Sequence, residues 1–246
     1  MPLPNSILIS FLALMAGILW LIYRGMTQLM ERAAIDGPKR KRVLILAFGG
    51  ILGWLSFLAI VAKIGFFADF SNFPPRVPVA LIPPVIVGIL LLRNATVKKI
   101  LQHTPPGWLI YPQAFRFPLE LILWGMLITG VGPVQMTFEG YNFDIITGIT
   151  APIVAWLVFQ RATLSRRFAI AWNFMGLTFI VIVLTIAVLS FPNDTLRYFM
   201  DEPSTRVVAY WPIIWLPGFV VPFAVWLHLL SLKQLLTQKA QLNEAL

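Results

Sequence analysis

Long apolar runs alternate along the whole chain with short polar or basic segments, and each run is about as long as a membrane crossing. A bilayer core takes about 20 residues of α-helix. That rhythm predicts seven spans, over residues 7–23, 43–62, 77–92, 108–133, 145–160, 168–190 and 207–230. The expected fold is all-α: one polytopic membrane helix bundle filling 1–246, with no separate soluble domain. The start of the fourth span is ambiguous. Beginning at Trp108 it puts Glu120 near mid-membrane, whereas beginning at Phe117 it puts Glu120 within about one turn of the cytoplasmic surface.

The polar segments orient the bundle. No Lys or Arg precedes the first run and Arg24 follows it, the reverse of a signal peptide, so it reads as a retained helix with its N-terminus outside. The run Lys39-Arg40-Lys41-Arg42 belongs in the cytoplasm by the positive-inside rule. Fifteen of the nineteen Lys and Arg fall on the same side if Arg116 is counted with its loop, the others being Lys63, Arg76, Arg197 and Arg206. The outer segments also hold Asp69, Glu139, Asp144, Asp194, Asp201 and Glu202. An outside N-terminus and a cytoplasmic C-terminus follow.

Composition agrees with the membrane class, since 59% of residues are hydrophobic and 12% charged, against about 25% charged in soluble domains. The net charge of +9 does not point to nucleic acid, because the basic residues stand where topology needs them. The partners implied are the lipid bilayer, with anionic headgroups at Lys39, Arg40, Lys41 and Arg42, and a small molecule or lipid. The chain has no cysteine, which removes disulfides and thiolate chemistry. His103 and His228 form neither an HExxH helix nor a paired-haem arrangement, so neither a metal nor a cofactor is expected. Lys233 lies too near the end of the last span for a retinal Schiff base, and no Ser–His pair or P-loop stands out.

Three polar constellations remain. Gln113, Arg116 and Glu120 fall within one apolar stretch, and the last two are four residues apart, within pairing reach on one helix face. Charged groups in a span face a partner or a cavity; Asn173 and Gln160 at similar depth would complete a polar pocket. The second set is Glu139, Asn142 and Asp144 at the start of the fifth span, where Asp144 also suits a helix cap. The third is the polybasic run. Gly49, Gly50 and Gly53 read as a close-packing face. Pro212, Pro217 and Pro222 should kink or unwind the last span. Ile82-Pro83-Pro84 and Leu216-Pro217-Gly218 align in a faint repeat, and two proline-broken spans can mark a central binding site.

At Gln113-Ala114-Phe115-Arg116 with Glu120, and again from Met136 through Glu139 and Asn142 to Ile145, the chain resembles a group of uncharacterised seven-span bacterial inner-membrane proteins. That resemblance implies a bacterial inner membrane and brings no activity with it. The leading expectation is a transporter-like or receptor-like protein that binds a small ligand at Gln113, Arg116, Glu120 and Asn173, with Asn142 and Asp144 as further candidates. The alternatives are a membrane-embedded enzyme on a lipid-linked substrate, less favoured for want of a nucleophile or metal set, and a structural or assembly partner.

Overall fold

Proline, glycine and the few capping side chains decide where the apolar runs become helix. In the computed structural model, residues 3–70, 75–193, 195 and 197–244 are described, with side chains to residue 237. Residues 71–74 of an expected outer loop, Asp194 and the Lys239 side chain lie outside them. All regular structure among the described residues is helical.

Helix α1 (Asn5–Arg32) runs well past its apolar stretch because Met30, Ala33 and Ile35 bury a small cluster beyond it. Asp36 then starts α2 (Gly37–Lys63): its carboxylate accepts the Lys39 N–H at 3.2 Å, and Pro38 occupies the first turn, where no donor is needed. The polybasic run therefore lies in the first two turns of a helix, with Arg40 paired to Glu31 at 2.8 Å. Helix α3 (Pro78–Leu91) meets α4 (Ala95–Gln102) at a 71° bend, and the Asn94 side chain caps α4.

Within the stretch 108–133, α-helix is confined to α5 (Arg116–Ile128). Two 3₁₀ segments precede it, Pro106–Leu109 and Tyr111–Phe115. The N–H groups of Val131 and Gly132 both turn back to the Met126 carbonyl, through Gly130 at φ +68°, and close it. Helices α6 (Asp144–Phe159) and α7 (Arg166–Leu189) follow.

The last apolar stretch is broken as its prolines require. A 3₁₀ segment, Thr205–Ala209, and a π-helical turn, Leu216–Val220, precede α8 (Val221–Glu244). Pro222 lacks the N–H that would reach the Gly218 carbonyl, and the Trp54 indole donates to that oxygen instead, at 2.8 Å. Pro217 likewise deprives Ile213, whose carbonyl takes the Leu216 N–H at 2.8 Å. Between α7 and this region, Arg197 donates to the carbonyls of Met200 and Asp201 and to Glu202, drawing the Glu202 carboxyl below its usual range.

The two proline-interrupted elements pack on each other. Trp226 donates its indole N–H to the Pro84 carbonyl at 3.0 Å, lying where a side chain on Gly88 would stand. The largest apolar core joins α1, α2, α5 and the 209–227 stretch around Phe11, Leu58, Ile213 and Ile214. Around it, Ile45, Leu46, Ile60, Ile82, Ile86 and Leu90 face outward. An apolar girdle of this kind suits lipid and not water. Gly49, Gly50 and Gly53 have open space before them, so among the described residues no helix uses the close-packing face expected there.

Among the described residues four helical stretches are long and apolar enough to cross a membrane: α1, α2, α7 and Leu216–Thr237. The bent pair α3 and α4 makes a fifth if it counts as one broken span, and α6 is a shorter apolar helix.

Candidate functional site

Arg116 is the largest of the fully buried side chains, 1% exposed, and the site is built around satisfying it. It stands at the first turn of α5. There α5 and α6 approach so closely that a Cβ on Gly148 would lie 2.4 Å from the Phe117 nitrogen. Asp144 is one turn before Gly148, so the same close approach brings its carboxylate to the guanidinium. Arg116 Nε donates to Asp144 Oδ2 at 3.2 Å, and Nη2 donates to Oδ1 in the second arm of a two-pronged ion pair.

The expected pairing of Arg116 with Glu120 is not what forms. Glu120 points to Asn142, whose Nδ2 donates to Glu120 Oε1 at 2.7 Å and to the Met136 carbonyl at 3.0 Å. Asn142 Oδ1 in turn accepts the Asp144 N–H at 3.1 Å. Asp144 itself makes no side-chain cap on α6, its oxygens being engaged by Arg116.

On its other side Arg116 meets His228 of α8, Nη1 to Nε2, at 3.0 Å. A guanidinium only donates, so Nε2 accepts and Nδ1 carries the hydrogen. That hydrogen goes to Asn173 Oδ1 of α7 at 2.9 Å, and the Asn173 amide donates to the Ala169 carbonyl at 2.7 Å and to Ser231 Oγ at 3.1 Å. Gly176 makes this possible: a Cβ there would sit 2.4 Å from His228 Cε1. Trp172 packs against the imidazole, ring centroids 5.5 Å apart. One continuous polar thread thus runs Glu120, Asn142, Asp144, Arg116, His228, Asn173, Ser231 across α5, α6, α7 and α8.

Five of the six sequence candidates lie on this thread: Arg116, Glu120, Asn142, Asp144 and Asn173. Gln113 is buried but bonded elsewhere, to the Ala224 carbonyl at 3.0 Å. Gln160 does not join Asn173 either; it donates to the Tyr111 hydroxyl at 2.7 Å, near the surface. Glu139 leaves the Asn142 group and accepts the Trp124 indole N–H at 2.7 Å. His228 and Ser231 were not among the candidates. Their signal was available, an imidazole and a hydroxyl three residues apart on one face of an apolar helix.

Glu120 ends the thread at a cavity of about 150 Å³ enclosed by the starts of α3 and of the 216–221 stretch, by α5 and by α7. Its polar side chains are Glu120, Asn142 and Asp144, and the rest of its wall is apolar. Glu120 is 1% exposed, and among the described residues its Oε2 has no hydrogen-bond partner. A larger depression of about 860 Å³, between α1 and residues 111–122, opens to the bundle's flank, is mostly hydrocarbon and holds none of the site's charged groups. Among the described residues no three His, Cys, Asp or Glu side chains converge as a metal site would require.

The helical fold, the outward apolar girdle and this enclosed charged thread define a membrane-embedded protein with a polar interior. Residues 74–236 match the family model described as a domain of unknown function (DUF8737), and the chain belongs to that family. Every residue of the thread falls inside the matched region. No curated protein and no solved structure matches the chain.

Proposed function

We propose that this protein binds a small molecule within the bilayer, as a transporter-like or receptor-like protein of a bacterial inner membrane, with Glu120 as the anchoring group. The observation that carries this reading is the unpartnered Glu120 Oε2 at the wall of a cavity. Leaving a buried polar atom unpaired costs about 1–3 kcal/mol, more if it is charged, and such an atom beside empty space suits a ligand that completes its bonding. Pro78 and Pro217 line the same cavity, at the starts of α3 and of the broken last span, and mark backbone that can shift around an occupant.

Seven crossings with the N-terminus outside are part of the proposal. Helix α5 has 13 residues, about 20 Å, and α6 has 16, about 24 Å, both shorter than a bilayer core of about 30 Å. The 3₁₀ segments before α5 lie along α6, with Gly107 against Ala155 and Phe159, and lengthen that crossing at about 2 Å per residue. Lys39, Arg40, Lys41 and Arg42 would then face anionic headgroups. An enzymatic reading has less support, because both Asp144 oxygens are held by Arg116 and, among the described residues, no Ser, Thr or Lys lines the cavity at Glu120.

Native mass spectrometry of gently solubilised wild type and Glu120→Gln tests the binding reading. A small-molecule adduct retained by the wild type and lost from the variant is the expected outcome. An adduct identical in both proteins would move the site away from Glu120.

A further inference from the structure

Among the described residues the cavity wall offers an occupant acceptors and no free side-chain donor. Both amide hydrogens of Asn142 are committed, to Glu120 Oε1 and the Met136 carbonyl, and both Asp144 oxygens face Arg116. Among the described residues no Lys, Arg or His lines the space. What is left for an occupant is Glu120 Oε2. The charges tell the same story. Arg116 is matched by Asp144 in the two-pronged pair, which leaves the Glu120 carboxylate as the unmatched charge of the thread.

We propose that the cavity takes a small organic ammonium, its N–H directed at Glu120 Oε2 and its hydrocarbon body against Leu119, Leu123, Val183 and Leu184. This rests on the binding reading above and names the chemical class of the ligand. Cavities near 150 Å³ accept a body of about six carbons, which sets the size. An anion would meet a carboxylate with no donor to offset it. A neutral alcohol would supply the hydrogen bond and leave the charge unmatched. A bare metal cation takes several oxygens, commonly six or more, and finds one free carboxylate oxygen in a wall of hydrocarbon.

The test uses three probes with one skeleton: cyclohexylammonium, cyclohexanol and cyclohexanecarboxylate. Each is titrated against the full-length protein in nanodiscs of zwitterionic lipid, with thermal stabilisation and native mass spectrometry as readouts. The ammonium is expected to bind the wild type about tenfold or more tightly than the alcohol, as a charge-assisted bond warrants, and the carboxylate not at all. Glu120→Gln should remove that advantage while leaving the alcohol nearly unaffected. Val183→Phe, which fills the cavity from α7 and keeps the Glu120 side chain, should abolish both.

Equal binding of ammonium and alcohol, both blocked by Val183→Phe, would overturn the cationic class and leave the binding site standing. Ammonium binding untouched by either substitution would place it in the bilayer and overturn the proposal. No binding by any probe would overturn the ligand class and the binding reading together.

Discussion

Arg116 shows how a single buried charge can organise its surroundings. Taking one member of a buried, hydrogen-bonded ion pair away leaves the other uncompensated, at a cost of about 3–5 kcal/mol, whereas replacing both by hydrocarbon is far milder. Arg116→Met should therefore destabilise the protein by about that amount, and Arg116→Met combined with Asp144→Leu should recover much of it. Unfolding curves in a denaturing detergent measure the cycle, with Asp144→Leu as its other single variant; a loss in the double variant equal to the sum of the two single losses would show that the pair adds no coupling. Glu120 differs in kind. Its partner is the neutral Asn142, so the ion pair does not compensate its charge, and that separates a structural pair from a group free to serve a ligand.

At the scale of elements, close approach is bought with glycine. Helices α7 and α8 meet where Gly176 faces the His228 ring, and α5 and α6 meet where Gly148 faces the Phe117 backbone. Gly176→Ala would set a methyl 2.5 Å from His228 Nε2 and push the imidazole off both Arg116 and Asn173. A loss of about 1–3 kcal/mol is expected from such overpacking. Gly17→Ala in α1, which meets open space, should leave stability nearly unchanged. Melting curves of the two variants in one detergent make the comparison; equal effects would mean that α7 and α8 tolerate separation. The same logic of supplied partners holds at the break before α8, where Trp54 replaces the hydrogen bond that Pro222 cannot make.

For the whole molecule, orientation is the testable property. The chain has no cysteine, so single cysteines introduced at Lys41 and Tyr141 form a clean accessibility pair. In intact cells a membrane-impermeant thiol reagent should label the cysteine at position 141 and not that at position 41, the latter reacting once the membrane is opened. The reverse pattern would invert the proposed topology, and labelling of both in intact cells would break the count of crossings between them. The polar thread also has a whole-molecule meaning. It ties four helices from different parts of the sequence, so the cavity at Glu120 and the α7–α8 contact at Asn173 and Ser231 share one chain of hydrogen bonds.

Membrane class and helical fold were legible in the sequence because both follow from local quantities: the length of apolar runs and the cost of a helix-free backbone in lipid. Proline spacing likewise announced the break near Pro217, since a missing N–H is a property of the residue itself. All six candidate residues also stood out as polar groups in hydrocarbon, and five of them lie on the thread. Which of them would meet was not legible. Arg116 and Glu120 are neighbours on one helix face, yet Arg116 pairs with Asp144, 28 residues on, because α5 and α6 touch at Gly148. His228 and Ser231 entered the thread for the same reason, through contacts set by Gly176. The chain's own composition determined that it lives in lipid and what it must bury; only the packing of one helix on another decided which charge found a partner and which oxygen was left facing a cavity.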